Sequence, residues 1–253
     1  MKSSFFPRAA FFLTGLGLLF FVSCSARIAG RLGRDSSGTV RVQAGLEPEM
    51  AALIRGLGGL AGGGTGSGAG NARPVLDAAA LNRSLRAAPG ITSADLRNSG
   101  PEKLEGTIAF SRAGEVLSGG GAASPGNRFI RYQAPDGAAP GRLGVHLERA
   151  AGPRILAMIS PDAADYLSAL MAPIATGENL GKAEYLDLVA SIYGRGLAKE
   201  IAASTIKVAV TFPGPVQSVR GGTFSGGEAR FEIPLPELLT LEQPLDYEAA
   251  WKP

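Results

Sequence analysis

Few residues in this chain can do chemistry. It has 253 residues, with one cysteine, Cys24, and one histidine, His146. Counting alone therefore excludes a metal site built from His and Cys, because a structural zinc needs about four such ligands. A Ser-His-Asp hydrolase would have to be assembled around His146. The nucleophile elbow G-x-S-x-G is missing, since Ser67 and Ser225 both have Thr where its first Gly belongs. His146 sits between Val145 and Leu147 in an alternating run, which turns it away from them toward solvent. The paired acids have structural explanations. Glu184 and Asp187 share a helix face beside an apolar stripe, and Asp162 and Asp165 suit a helix N-terminus. Gly56 to Gly70 holds no Lys-Ser/Thr closure and no G-x-G-x-x-G, so it offers no phosphate cradle. From these residues we expect no catalytic group, no metal and no cofactor.

Cys24 is different because of what precedes it. Lys2 and Arg8 supply positive charge, Ala9 to Val22 are almost wholly apolar, and Ser23 follows. Charged, then apolar, then small is the layout of a secretory signal peptide. The apolar run falls short of the roughly 20 residues a membrane-spanning helix needs. Phe21-Val22-Ser23-Cys24 resembles the lipobox of bacterial lipoproteins, with Phe21 standing where Leu is commonest. The resemblance implies cleavage just before Cys24 and a diacylglycerol on its sulfur. The rival is a secreted protein cut after Ala26, which would lose Cys24. We expect a signal peptide over 1–23 and a mature chain over 24–253, anchored through Cys24 alone.

The bulk numbers narrow the partners. The whole chain carries 25 basic and 22 acidic residues, a net charge of +3. Loss of Lys2 and Arg8 brings the mature chain to +1, so its charge gives no footprint for nucleic acid. With Cys24 acylated no thiol remains for disulfides, and the core rests on apolar burial, for which 45% hydrophobic residues suffice.

The elements that would position these residues alternate strand and helix. Ala26, Ile28, Gly30 and Leu32 share one face and Arg27 and Arg31 the other. After a turn over Arg34 to Gly38, Val40, Val42 and Ala44 alternate with Arg41 and Gln43. This predicts a β-hairpin directly behind Cys24. Arg27, Arg31, Arg34 and Arg41 would then be exposed beside the anchor, on a solvated strand face or against anionic lipid headgroups. Helices are expected over 48–57, 74–88, from Pro161 to Pro173, over 182–200 and over 234–241, from apolar spacing and Pro or Gly stops. Strands are expected over 91–97, 104–110, 128–133, 142–149, 154–159, 205–212 and 228–233, with a final edge strand over 245–251. Gly is twice its average usage of about 7%, and 56–72 reads as a flexible loop. The class is α+β: a mostly antiparallel sheet opened by the N-terminal hairpin, helical pairs on one face, and a single domain rather than two.

Val208-Ala209-Val210-Thr211-Phe212-Pro213-Gly214, Gly221-Gly222, Tyr247 and Trp251 together resemble the LppM-type bacterial lipoprotein domain. That family opens with a hairpin soon after a lipidated cysteine and inserts paired helices before the F-P-G strand. The resemblance implies an α+β envelope domain without catalytic residues, and it offers no ligand motif to carry over. The glycine loop departs from it.

The expectation is a non-enzymatic lipoprotein of the bacterial envelope, bound to the membrane through the lipid on Cys24. It would serve binding or assembly, with an apolar ligand or an envelope protein as partner. A groove between sheet and helices would be lined by the Tyr185, Leu188, Val189 and Ile192 stripe. Ser25 occupies the position where Asp retains lipoproteins in some inner membranes, and by that rule the outer membrane is favoured. The alternative is an exported hydrolase working around His146.

Overall fold

In the computed structural model of this chain, residues 25–61, 76–117, 129–156 and 161–253 are described. The expected hairpin is the centre of the fold. β1 (Ser25–Leu32) and β2 (Gly38–Gly45) pair antiparallel, from Ser25↔Gly45 to Leu32↔Gly38. Asp35 closes the turn by accepting hydrogen bonds from Ser37 Oγ at 2.7 Å and Ser37 N at 3.1 Å. These bonds favour the ionised carboxylate and hold its pKa below the usual value.

A second hairpin, β3 (Ile91–Gly100) and β4 (Lys103–Phe110), extends the sheet beside β2. On the other side β7 (Thr205–Thr211) runs parallel to β1, and β10 (Glu228–Pro234) and β9 (Gly222–Ser225) follow antiparallel. The order is β3-β4-β2-β1-β7-β10-β9. Strand alternation divides its faces cleanly. Ile28, Val42, Leu104, Ile108, Ile206 and Phe231 are buried on one face. Arg27, Ala29, Arg31, Thr39, Arg41 and Gln43 are exposed on the other.

Helices close the apolar face, and the class is α+β. α1 (Pro48–Ala61) buries Met50, Ala51 and Ile54, and α2 (Ala78–Arg86) buries Leu81 and Leu85. α3 (Ala113–Leu117) is a single turn. Past β5 (Ile130–Gln133) and β6 (Gly141–Leu147) come α4 (Gly152–Leu156), α5 (Pro161–Ala169) and α6 (Pro173–Thr176). α7 (Lys182–Tyr193) buries Tyr185 and Val189, α8 (Arg195–Ala203) buries Leu197 and Ile201, and α9 (Leu235–Thr240) is buried along most of its length. No described helix is long and apolar enough to cross a membrane.

Residues 154–159 were expected as a strand, yet the chain through Leu156 is a 3-10 turn (Arg149–Ala151) leading into α4. A short apolar run has no period long enough to separate strand from helix, and Pro153 fits the first helical turn. The helix expected over 182–200 is two helices, broken at Gly194, whose φ of +95° no helix accommodates. The helix expected to start at Pro74 begins at Ala78, where the Asp77 side chain caps it by accepting from Ala80 N at 2.9 Å. α1 runs on to Ala61, into the stretch expected as loop, because extending a formed helix through glycine costs about 1 kcal/mol per residue and does not forbid it. The rest of that stretch, 62–72, lies outside the described residues.

The sheet expected as one is two. β5, β6, β11 (Leu245–Trp251) and β8 (Val216–Arg220) form a four-stranded antiparallel sheet in the order β5-β6-β11-β8. β11 was expected at an edge but lies inside this sheet, which buries Leu245, Ala249 and Trp251. β8 and β9 were not anticipated, since Gly-rich polar residues around them read as turns.

Candidate functional site

Cys24, the only site residue the sequence nominates, lies outside the described residues, as do residues 1–23. What is described is the strand it would be attached to. Ser25 opens β1, between Gly45 of β2 and Thr205 of β7. A depression of about 350 Å³ indents this end of the sheet, with Ser25, Arg27, Gln43, Lys103, Glu105 and Lys207 on its walls.

From that end the open face of the sheet runs to the hairpin turn. Register fixes its layout. Ala29 pairs with Arg41 on one side and Ala209 on the other, and Ala209 pairs in turn with Arg230. Arg27 and Arg31 flank Ala29 along β1, so two alanines sit in a ring of cations. Three of the cations on this face are neutralised: Arg97 by Glu105 at 2.9 Å, Arg230 by Glu228 at 2.6 Å, and Lys207 by Glu232 at 3.5 Å. Arg27, Arg31, Arg41 and Lys103 have no ion-pair partner among the described residues. Asp95 is the one carboxylate of this face without a described cation partner. The sequence pointed to the hairpin arginines. It did not reveal that β4, β7 and β10 would widen the surface, because nothing local marks which strands become neighbours.

His146 lies on the second sheet, directly opposite Asp246 in the β6–β11 pair. Its Nδ1 is 3.8 Å from Asp246 Oδ1, and both side chains are 40% exposed. Asp246 is instead held by Arg220, which donates to its Oδ2 at 2.6 Å and keeps the carboxyl pKa below the ordinary value. No serine hydroxyl bonds His146 among the described residues. The sequence missed the Arg220–Asp246 pair, which only the interior placement of β11 creates.

The helical stripe splits. Tyr185 and Val189 are core, with the Tyr185 hydroxyl donating to Leu170 O at 3.3 Å and burial pushing its pKa up. Ile192 is half exposed at the far end of α7. Among the described residues no three His, Cys, Asp or Glu side chains converge as metal ligands.

No protein-family model matches this chain, and no curated protein does. A comparison of folds finds the folded domain of the LppM protein of Mycobacterium tuberculosis, solved by NMR. The two share 11% identity at a TM-score of 0.37, covering 90% of this chain and 88% of that one.

Proposed function

We propose that this chain is a lipoprotein of the bacterial cell envelope, acylated at Cys24 and serving a non-enzymatic binding or assembly role. The observation that carries the reading is the burial of Ala26 inside β1. Ser25 and Ala26 already belong to β1, and Ala26 is buried between Ala44 and Ile206. A cut before Cys24 leaves this central strand whole. The rival cut after Ala26 would remove its first two residues and open a gap in the core, a loss that strands at a sheet's centre tolerate poorly. The lipobox resemblance and the burial of Ala26 both support a cut before Cys24. Two or three acyl chains then hold the domain stably, where one would hold it marginally.

The hydrolase alternative draws no support from the surroundings of His146. A catalytic base needs a nucleophile within about 3 Å and a carboxylate that orients it, whereas Asp246 here is engaged by Arg220. A groove lined by Tyr185 and Val189 draws none either, since both are core. An envelope partner would meet an exposed surface instead. The residue after Cys24, Ser25 rather than Asp, favours the outer membrane over the inner.

Metabolic labelling with a fatty acid, followed by detergent partitioning, tests the reading. The wild-type chain takes up label and enters the detergent phase, and Cys24→Ala takes up none. An unlabelled wild type, or a labelled variant, overturns it.

A further inference from the structure

We propose that the open face of the seven-stranded sheet lies against an anionic bilayer, with Arg27, Arg31, Arg41 and Lys103 contacting phospholipid phosphates. The inference rests on the anchoring reading for what brings the domain to the membrane, and on the sheet itself for how the domain sits there.

The first support is charge. Ion pairs cancel the other cations of this face and leave these four, against Asp95 as the single carboxylate without a described cation partner. An exposed arginine without an acid gains from a phosphate through paired N–H donors, a geometry that guanidinium supplies and that water replaces poorly. The negative potential of an anionic leaflet acts over about a Debye length, so only residues lying close to the surface feel it.

The second support is position. Arg27 is two residues beyond Ser25, and Lys103 pairs in register with Gly45 at the same end of the sheet. With Cys24 immediately before β1, the anchor leaves no tether to lift this end off the headgroups. The depression beside Ser25 opens at the same place. On its walls Arg27 and Lys103, unpaired among the described residues, lie beside Lys207 and Glu105, which are each held in ion pairs, and there it can receive a headgroup.

The third is shape and composition. The centre of the face is Ala29 and Ala209, bordered by Thr39, Thr107 and Thr211, and no aromatic side chain projects from this part of it. Protein partners take buried aromatic anchors and single-stranded nucleic acids take stacking platforms, and this surface provides neither. A flat, small-residue field ringed by guanidiniums suits a plane of phosphates.

The arginines themselves are the probes. The full chain is reconstituted on phosphatidylcholine vesicles with and without phosphatidylglycerol, treated with phenylglyoxal, and read peptide by peptide by mass spectrometry. It is held there by its acyl chains or, if uncut, by its apolar leader. Arg195, exposed at the start of α8 in the helical layer, is the internal reference. We expect Arg27, Arg31 and Arg41 to react about fivefold more slowly when phosphatidylglycerol is present, Arg195 to be unchanged, and the difference to vanish near 0.5 M salt. Equal rates on both vesicles overturn the proposal, and so does equal slowing of Arg195. The mass of the Cys24 peptide from the same sample reports acylation separately. An acylated Cys24 with unprotected arginines sinks this inference alone. Protected arginines with an unmodified Cys24 sink the anchoring reading alone.

Discussion

Trp251 stacks on Phe212 with ring centroids 4.4 Å apart and planes inclined by 22°. Phe212 follows the last residue of β7 and Trp251 ends β11, so this contact fastens the second sheet to the first. Tyr132 of β5 stacks on the same indole at 6.3 Å, and Gly141 lies beneath it, where a Cβ would come within 2.3 Å of the ring. Trp251→Ala is expected to cost about 3–5 kcal/mol of unfolding free energy. Gly141→Ala should destabilise as well, by forcing the indole off its seat. Trp251→Phe should cost less than Trp251→Ala, because it keeps a ring in the site and Trp251 Nε1 has no hydrogen-bond partner among the described residues to lose. Denaturant midpoints followed by circular dichroism rank the three.

A partly buried guanidinium ties three separate segments together. Arg149 donates from Nε to Thr240 O at 2.9 Å, from Nη2 to Leu180 O at 3.0 Å, and from Nη1 to the Asn179 side chain. It thereby satisfies carbonyls at the end of α9 and ahead of α7. Arg149→Ala is expected to lower stability by about 2–3 kcal/mol, since bonds from a charged donor are lost and the carbonyls stay behind. Arg149→Lys should recover less than half of that, because one ammonium cannot span a fork of acceptors. The same denaturation series measures both.

Arg220 depresses the pKa of Asp246 in the folded protein, by its hydrogen bond above all and then by its charge. A depressed carboxyl contributes stability that is fully present above its unfolded value of about 3.9 and lost as pH falls through the folded one. The stability gap between wild type and Arg220→Ala is therefore expected to be constant at neutral pH and to close in acid. An Asp246 titration followed by NMR should move upward in the variant. A gap that widens in acid contradicts the pairing.

Much of this fold was legible in the sequence, and the exceptions share a cause. Alternation around the turn at Arg34 to Gly38 named β1 and β2 and the exposed side of each, because the period of two acts residue by residue. Strand neighbours are set by packing between distant segments. For that reason β7 beside β1, β11 inside the second sheet, and the Arg220–Asp246 pair could not be read locally. Single residues decided other boundaries, with Gly194 splitting a helix that apolar spacing alone carries through. The candidate anchor at Cys24 rests on a linear sequence pattern alone and lies outside the described residues. The basic face was only half readable, since its arginines were named but the strands that frame them were not.

The anchoring claim is tested most directly at the N-terminus of the protein recovered from membranes. Mass spectrometry of its first peptide should give Cys24 as the first residue, carrying a diacylglycerol. A first residue of Arg27 would mean cleavage after Ala26 and a β1 shortened by its buried Ala26. A first residue of Met1 would mean an uncut leader. Either result contradicts the account.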